Sequence, residues 1–540
     1  MPVREHVRRF AAPSQALTDS LRRHFRTILE LYEKHNGVPL EGLMNQITLN
    51  LGNLQHLLSV GLHRGNPTLA DTIQCIISLN SFFRVTGRGH TTLMELVPPA
   101  LLQLCGHRLE VLFTVELLAC RGSNFPMDLE PFVIRSISLL DHLDDLTLAS
   151  RFYEGSGHRY FVYTGNKTTG GQFLDKALAL ARECGDIHRY CNALIISSEM
   201  EWRAGHYHAA QKLVDEAQHL GRLSGDLYIE ARTLEMGATT ALYLGNYRRC
   251  SLLCERTKDV RKMCGMLGSL LDGNVSQVEA ETHLLKSEYA EARAVHMTIV
   301  ESSSPDQSAA AYAYAWLSVA EIDVIVGAPS AEVYHHLEKA KACGIERLGG
   351  VDIWKRVFAD LALREGDTAT AESMFREDVA SNWGRDNQAL SYCLERLADT
   401  TRWTETTSDS PVIWPVVYLV YAHTSTEKLA VHKALLFLAQ IFILAEEDTA
   451  HSLLVVALEG FTFMDVHRSK AQCLLHLGDL EHKRGNTTKA IELWEAARPL
   501  FAQSLQSTGV AQVDSKLVKL QSPAHLQRHN TSGEVTLLYS

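Results

Sequence analysis

Cys250, Cys254, Cys264 and His283 are the residues of this sequence best suited to hold a metal, since thiolate and imidazole are the ligands of structural zinc. No CxxC pair supports that chemistry. Cys250 and Cys254, four residues apart on a helix, share one face as small core residues do. His335 with His336, and His206 with His208, have the side chains of general bases, and Asp141, Asp144 and Asp145 those of acids. With 25 histidines in the chain such neighbours arise by chance, so the histidines are expected on the surface and the aspartates on the outer face of a helix. Neither GxSxG nor HExxH occurs. Lys167 lies among glycines and beside Thr168 and Thr169, but the phosphate loop GxxxxGK[ST] needs a Gly-Lys step and the chain has none. No catalytic, cofactor-binding or metal site is therefore expected, and the chain is not expected to be an enzyme.

The elements that would carry these residues repeat. In the run from Ala471, Leu474, Leu477 and Gly478 lie on one helical face, Gly485 breaks the helix, and Ala490, Trp494 and Ala497 follow. That order is the tetratricopeptide pattern. Glycine at the break supplies a left-handed residue. Alanine allows two helices to cross, and tryptophan fills the space between units. Equivalent turns precede it at Ala445, Gly366, Gly327, Ser287, Gly245, Gly205 and Gly165. The intervals are 39 to 42 residues apart from one of 79, which implies a degenerate unit near Trp403. Small residues stand five positions past the turns (Gly170, Ala210, Cys250, Ala292, Ala371, Ala450), and Leu174, Val214, Cys254, Phe375 and Leu454 stand nine past. Glu332 and His336 make the Gly327 unit a poorer fit. The fold class is all-α, a tetratricopeptide-like superhelix in which each helical hairpin covers its neighbour's apolar face.

Position nine of the first helix faces the concave groove in such folds, and it carries Glu199, Glu281, Glu321, Asp360 and Asp479, with Thr239 and Ala439 between. A stripe of carboxylates would suit a basic or amine-bearing peptide; it would equally suit hydrogen bonds to neighbouring helices. The net charge of −11 excludes a duplex-binding role, which needs clustered cations. The basic group Arg4, Arg8, Arg9, Arg22, Arg23 and Arg26 alternates with apolar residues as on a solvated helix face. The longest apolar run, Ala434 to Ala445, has 12 residues against the roughly 20 that a membrane span needs. Neither nucleic acid nor membrane is an expected partner. Cysteines without disulfide spacing and an opening without a secretory signal imply a cytoplasmic protein.

Val456 to Phe501, "VALEGFTFMDVHRSKAQCLLHLGDLEHKRGNTTKAIELWEAARPLF", closely resembles the last repeats of the fungal NB-ARC and NACHT NTPases that carry tetratricopeptide sensors, the NOD-like STAND proteins. "NLGNLQHLLSVGLHRGNPTLADTI" is similar to the helices after their winged helix, and "MPVREHV" to that domain's closing strand. The missing Walker loop departs from the family, so the resemblance implies the sensor half alone: the regulatory part of a signalling receptor, with an NTPase module in cis or trans, or a stand-alone adaptor. Met1 inside a winged-helix-like strand favours a longer parent protein. The expected organisation is a winged-helix remnant at 1–12 and a helical cap at 13–150. An array of about nine repeats at 151–503, one degenerate near 405, leads to a capping helix at 504–522 and a flexible tail at 523–540. "TTRWTETTSDSPVIWP" in the degenerate unit reads as loop. An enzyme in an unusual helical fold would need a deep polar pocket with shifted pKa values. A transcription-regulator effector would need a helix-turn-helix and a basic balance.

Overall fold

The computed structural model describes residues 15–34, 41–85, 90–120, 128–162, 164, 166–263, 270–302, 305–343, 351–383, 387–399 and 411–521. The winged-helix-like opening, the Gly165 turn, Cys264, Trp403 and the tail lie outside them. Every regular element among the described residues is helical. Six helices form the first part: α1 (Gln15–Lys34), α2 (Glu41–Val60), α3 (Leu69–Val85), α4 (Pro99–Leu102), α5 (His107–Leu118) and α6 (Glu130–Leu140). Nine hairpins follow. They are α7 (Leu146–Val162) with α8 (Lys167–Glu183), α9 (Ile187–Arg203) with α10 (Tyr207–Ser224), α11 (Leu227–Tyr243) with α12 (Tyr247–Met263), and α13 (Leu270–Lys286) with α14 (Tyr289–Ser302). Next come α15 (Pro305–Val326) with α16 (Ser330–Ala342), α17 (Val351–Arg364) with α18 (Thr368–Asn382), and α19 (Asn387–Ala398) with α20 (Ile413–Ser425). The last are α21 (Lys428–Phe442) with α22 (Glu447–Met464) and α23 (His467–Lys483) with α24 (Thr487–Gln503), followed by α25 (Ser507–Gln521).

Six of the hairpin turns share a two-residue design. Gly205, Gly245, Gly327, Gly366 and Gly485 have φ between +70° and +91°, and Ser287 takes the same left-handed conformation at φ +66°. The next residue donates its N–H back to the carbonyl five positions earlier, as from His206 to Glu201, Asp367 to Ala362 and Asn486 to Glu481 (2.8–2.9 Å). This closes the first helix with a Schellman bond. The same residue starts the second helix: the Asp367 carboxylate accepts the N–H of Thr370. At Ala445 the chain turns without a left-handed residue.

Ala210, Cys250, Ala292, Ala371, Ala450 and Ala490 are fully buried where paired helices cross. At Gly478 a Cβ would lie 2.5 Å from Nε1 of Trp494, so this glycine is what admits the indole, flanked by Ala497. Phe375 seals the α17–α18 pair in the same way. Successive first helices pack on one another, with the second helices set outside them. The first helices therefore line the inner wall.

The superhelix is wound tightly enough for one coil to rest on the next. His467 bonds Glu288 across 179 residues, and Gln506 bonds the Ile325 carbonyl across 181. Lys286 pairs with Asp465 at 3.2 Å. An apolar cluster joins Leu242, Tyr247 and Val275 to Leu436, Phe461 and Met464. With units of about 40 residues, one coil takes roughly four and a half of them. The seam is tight at Gly205, where a methyl group would lie 1.9 Å from Nδ2 of Asn387, whereas one on Gly485 would meet nothing within 4 Å. Gly485→Ala should therefore cost only the left-handed strain of about 1–2 kcal/mol. Gly205→Ala should cost measurably more in urea unfolding; equal losses would show that the coils do not touch there.

Four details depart from the sequence-based expectations. Asp141, Asp144 and Asp145 lie in the turn before α7, not on a helix, because Asp145 caps α7 by accepting the Leu148 N–H. His336 is buried rather than at the surface, stacked on Trp316 and hydrogen-bonded to Asp323 at 2.9 Å. Arg22 is buried too, bonded to Asp19 and Thr68, so it is no solvated face. Ile413, Trp414 and Pro415 begin α20 instead of ending a loop, since a proline in a helix's first turn forfeits no intrahelical bond.

Candidate functional site

The inner wall is narrow enough for side chains to meet across it. Gln388 of α19 donates to Oε1 of Glu281 on α13 at 2.9 Å, spanning 107 residues of sequence. Burial, with the neighbouring Glu321 carboxylate adding to it, raises the Glu281 carboxyl to about 7. Glu427 at the α20–α21 turn is raised to about 7, again by burial, although Ser391 donates to it at 3.0 Å.

Asp360 and Arg396 form the most deeply buried ion pair of this wall, at 4% and 7% exposure. The Arg396 Nε reaches both Asp360 oxygens at 3.0 and 2.9 Å, and the Tyr392 hydroxyl donates to Oδ2 at 2.5 Å. Burial opposes charge on Arg396, but Asp360, Tyr392 and Glu395 outweigh it and the guanidinium is held firmly protonated. Glu395 is further paired with Lys433 at 2.7 Å.

The five inner-wall carboxylates thus have different surroundings. Glu199 accepts from Arg203 at 2.9 Å, and Asp479 accepts from Trp494 at 3.1 Å and pairs with Lys516 at 2.8 Å. Glu281 holds Gln388, and Asp360 holds Arg396 and Tyr392. Glu321 accepts no hydrogen bond among the described residues; burial raises its pKa, against the pull of Arg356 and Arg396. Glu321 lines a cavity of about 110 Å³ between the coils, with Tyr392, Glu395, Arg396, Lys433 and, from α23, Arg468, Ser469 and Gln472. The sequence stripe includes Glu321 but misses the rest of this lining. Glu395 belongs to the unit whose turn glycine is missing, and Arg468 sits in the first turn of its helix, away from position nine.

Two further clusters gather carboxylates around a histidine: Glu288, Asp465 and His467, and Asp323, Glu332 and His336. In each a basic side chain of the protein already supplies the cation. Lys286 lies 2.6 Å from Glu288 and 3.2 Å from Asp465. Arg293 lies 3.0 Å from Asp323 and 3.3 Å from Glu332. Burial works against the Glu288 charge, but hydrogen bonds from His283, His467 and Lys286 outweigh it and hold the group far below the usual carboxylate range. This cluster ties the coils together. The ten described cysteines are free thiols; Cys250 contacts Thr282 and packs in the apolar seam with Cys254. No described helix is long and apolar enough to cross a membrane.

No family profile and no curated protein matches the sequence. Among solved structures the chain is similar to a Rap protein complexed with competence and sporulation factor, at 12% identity and a TM-score of 0.32 over 88% of this chain and 100% of that one. A STAND protein with a tetratricopeptide repeat sensor from Pyrococcus horikoshii matches at 12% identity and 0.31, over 91% of this chain and 74% of that one. Human IFIT1 with m7Gppp-AAAA matches at 12% and 0.32, over 74% and 90%. Likenesses this low say nothing of what the chain binds, and its own helices define it as a tetratricopeptide-like repeat scaffold.

Proposed function

We propose that this chain is a non-enzymatic regulatory scaffold, the sensor half of a STAND-type receptor acting with an NTPase module in cis or trans, or a stand-alone adaptor of the same design. The reading is carried by the seam between its coils. The polar seam contact of Lys286 with Asp465 is of the partly exposed kind worth about 0–1 kcal/mol, whereas His467 meets Glu288 in a largely buried setting. The apolar patch at Leu242, Phe461 and Met464 holds the coils closed at rest. A partner that binds the closed and opened windings unequally shifts the balance between them and passes its presence to whatever is attached. Of the inner-wall carboxylates, we assign the ligand-facing role to Glu321; Glu199, Glu281, Asp360 and Asp479 serve the wall itself. The partner is a protein, peptide or smaller ligand bearing an amine, the cation that the Glu321 carboxylate suits.

The pair Lys286→Ala and Met464→Asp, which removes a polar contact and puts a charge into the apolar patch of the seam, tests the reading. Small-angle scattering should give a larger radius of gyration than the parent protein, while circular dichroism shows undiminished helicity. An unchanged radius would overturn the winding mechanism.

A further inference from the structure

Four polar side chains around the 110 Å³ cavity have no hydrogen-bonding partner among the described residues: Glu321 on α15, and Arg468, Ser469 and Gln472 on α23. The other charged groups there are engaged. Arg396 is held by Asp360, and Lys433 by Glu395. Arg468, Ser469 and Gln472 come from one helical turn and its successor, so donors of three kinds converge from one side of the cavity. Glu321 belongs to the preceding coil. Leu284, Leu285, Ile325, Leu436 and Phe437 supply apolar wall. Their polar atoms are left to meet whatever occupies the cavity, water or a ligand that replaces it.

The charges of the lining balance: Glu321, Glu395 and Asp399 against Arg396, Lys433 and Arg468. A ligand with no net charge but two opposite ends fits such a lining better than a lone anion or cation. Size narrows the class further. A cavity of 150 Å³ accommodates benzene with its six heavy atoms, so one of about 110 Å³ takes roughly four or five, the size of the smallest amino acids.

We propose that this cavity binds a small zwitterion of the α-amino acid class, its carboxylate held by Arg468, Ser469 and Gln472 and its ammonium by Glu321. The inference rests on the reading of the chain as a ligand sensor, and it names the ligand. Because the binding groups belong to both coils, occupancy ties α15 to α23 and favours the closed winding.

The test uses the full chain with glycine, L-alanine, L-serine and β-alanine, with L-tryptophan, acetate and methylamine as controls, in titration calorimetry and thermal unfolding. At least one small zwitterion should bind saturably and raise the melting temperature. Tryptophan should not bind, and acetate or methylamine should bind at least tenfold more weakly. Arg468→Met and Glu321→Gln should each weaken binding about tenfold or more, the usual weight of a charge-assisted bond. Should either variant lose helicity, Gln472→Leu takes its place with the same expectation. Absence of saturable binding by all four zwitterions, acetate binding as tightly as glycine, or variants binding as the parent does would each overturn the assignment. A scaffold that unwinds in the Lys286→Ala and Met464→Asp protein yet binds none of these ligands retains its sensor reading and loses only this one.

Discussion

Replacing Arg396 by methionine should cost about 3–5 kcal/mol, the largest loss expected of any single change to the inner wall. One nitrogen of the guanidinium reaches both oxygens of the Asp360 carboxylate, and neither residue is more than 7% exposed. Without it, Asp360 keeps the Tyr392 hydroxyl but loses the guanidinium that reaches both of its oxygens. A buried carboxylate that loses its buried cation must either stay charged with less compensation or take up a proton, and both are costly at neutral pH. The combined change Arg396→Met with Asp360→Leu should recover much of the loss, because a buried pair contributes little beyond a well-packed apolar one while half a pair is far worse than either. Urea unfolding of the parent, the single and the double variant measures this directly. A single-variant loss below about 1 kcal/mol, the value for surface pairs, would refute the burial of this pair.

The second large effect is on the pH dependence of stability. Glu281 and Glu427 are both raised to about 7 in the folded chain, chiefly by burial, from an ordinary 4.5. The folded state therefore holds more protons than the unfolded one between these values. Their contribution is complete below 4.5, declines as pH rises and is gone above about 7. At about 1.4 kcal/mol per unit, each carboxyl removes up to roughly 3 kcal/mol across that window. His296, pushed down to about 4 by burial, acts with the opposite sign: its contribution is intact above 6.5 and lost as pH falls toward 4. The clean measurement is thus a difference. Glu281→Gln mimics the protonated form, so it should match the parent near pH 5 and exceed it in stability by up to roughly 3 kcal/mol at pH 8. A variant less stable than the parent at pH 8 would mean that the carboxylate, not the neutral acid, is the favoured form.

The turns and the helix crossings were legible in the sequence because their causes are local. A left-handed residue recurs at six turns, followed by a capping Asn246 or Asp367 at two of them, and a small residue stands five positions on at every one but Gly327. The pairing of coils was not legible, because partners such as Glu288 and His467 are set by the pitch of the whole array. Position nine gave Glu321, but the degenerate unit concealed Glu395 and Arg396, the residues that make the inner wall mixed in charge rather than acidic. His336 illustrates the same limit. Two adjacent histidines look solvent-facing in a histidine-rich chain, and only the neighbouring helix, bringing Trp316 against the ring, shows that one of them is core.

A coil that rests on its predecessor at a fixed distance along the chain is bound by an arithmetic that open arrays escape. Most solenoids can lengthen by duplicating a module, since each module answers only to the two beside it. Here the excision or insertion of a single hairpin between Gly205 and Asn387 would slide every stacked turn past its mate and set Met464 over a different loop. The number of modules is therefore as much a part of this architecture as their sequence.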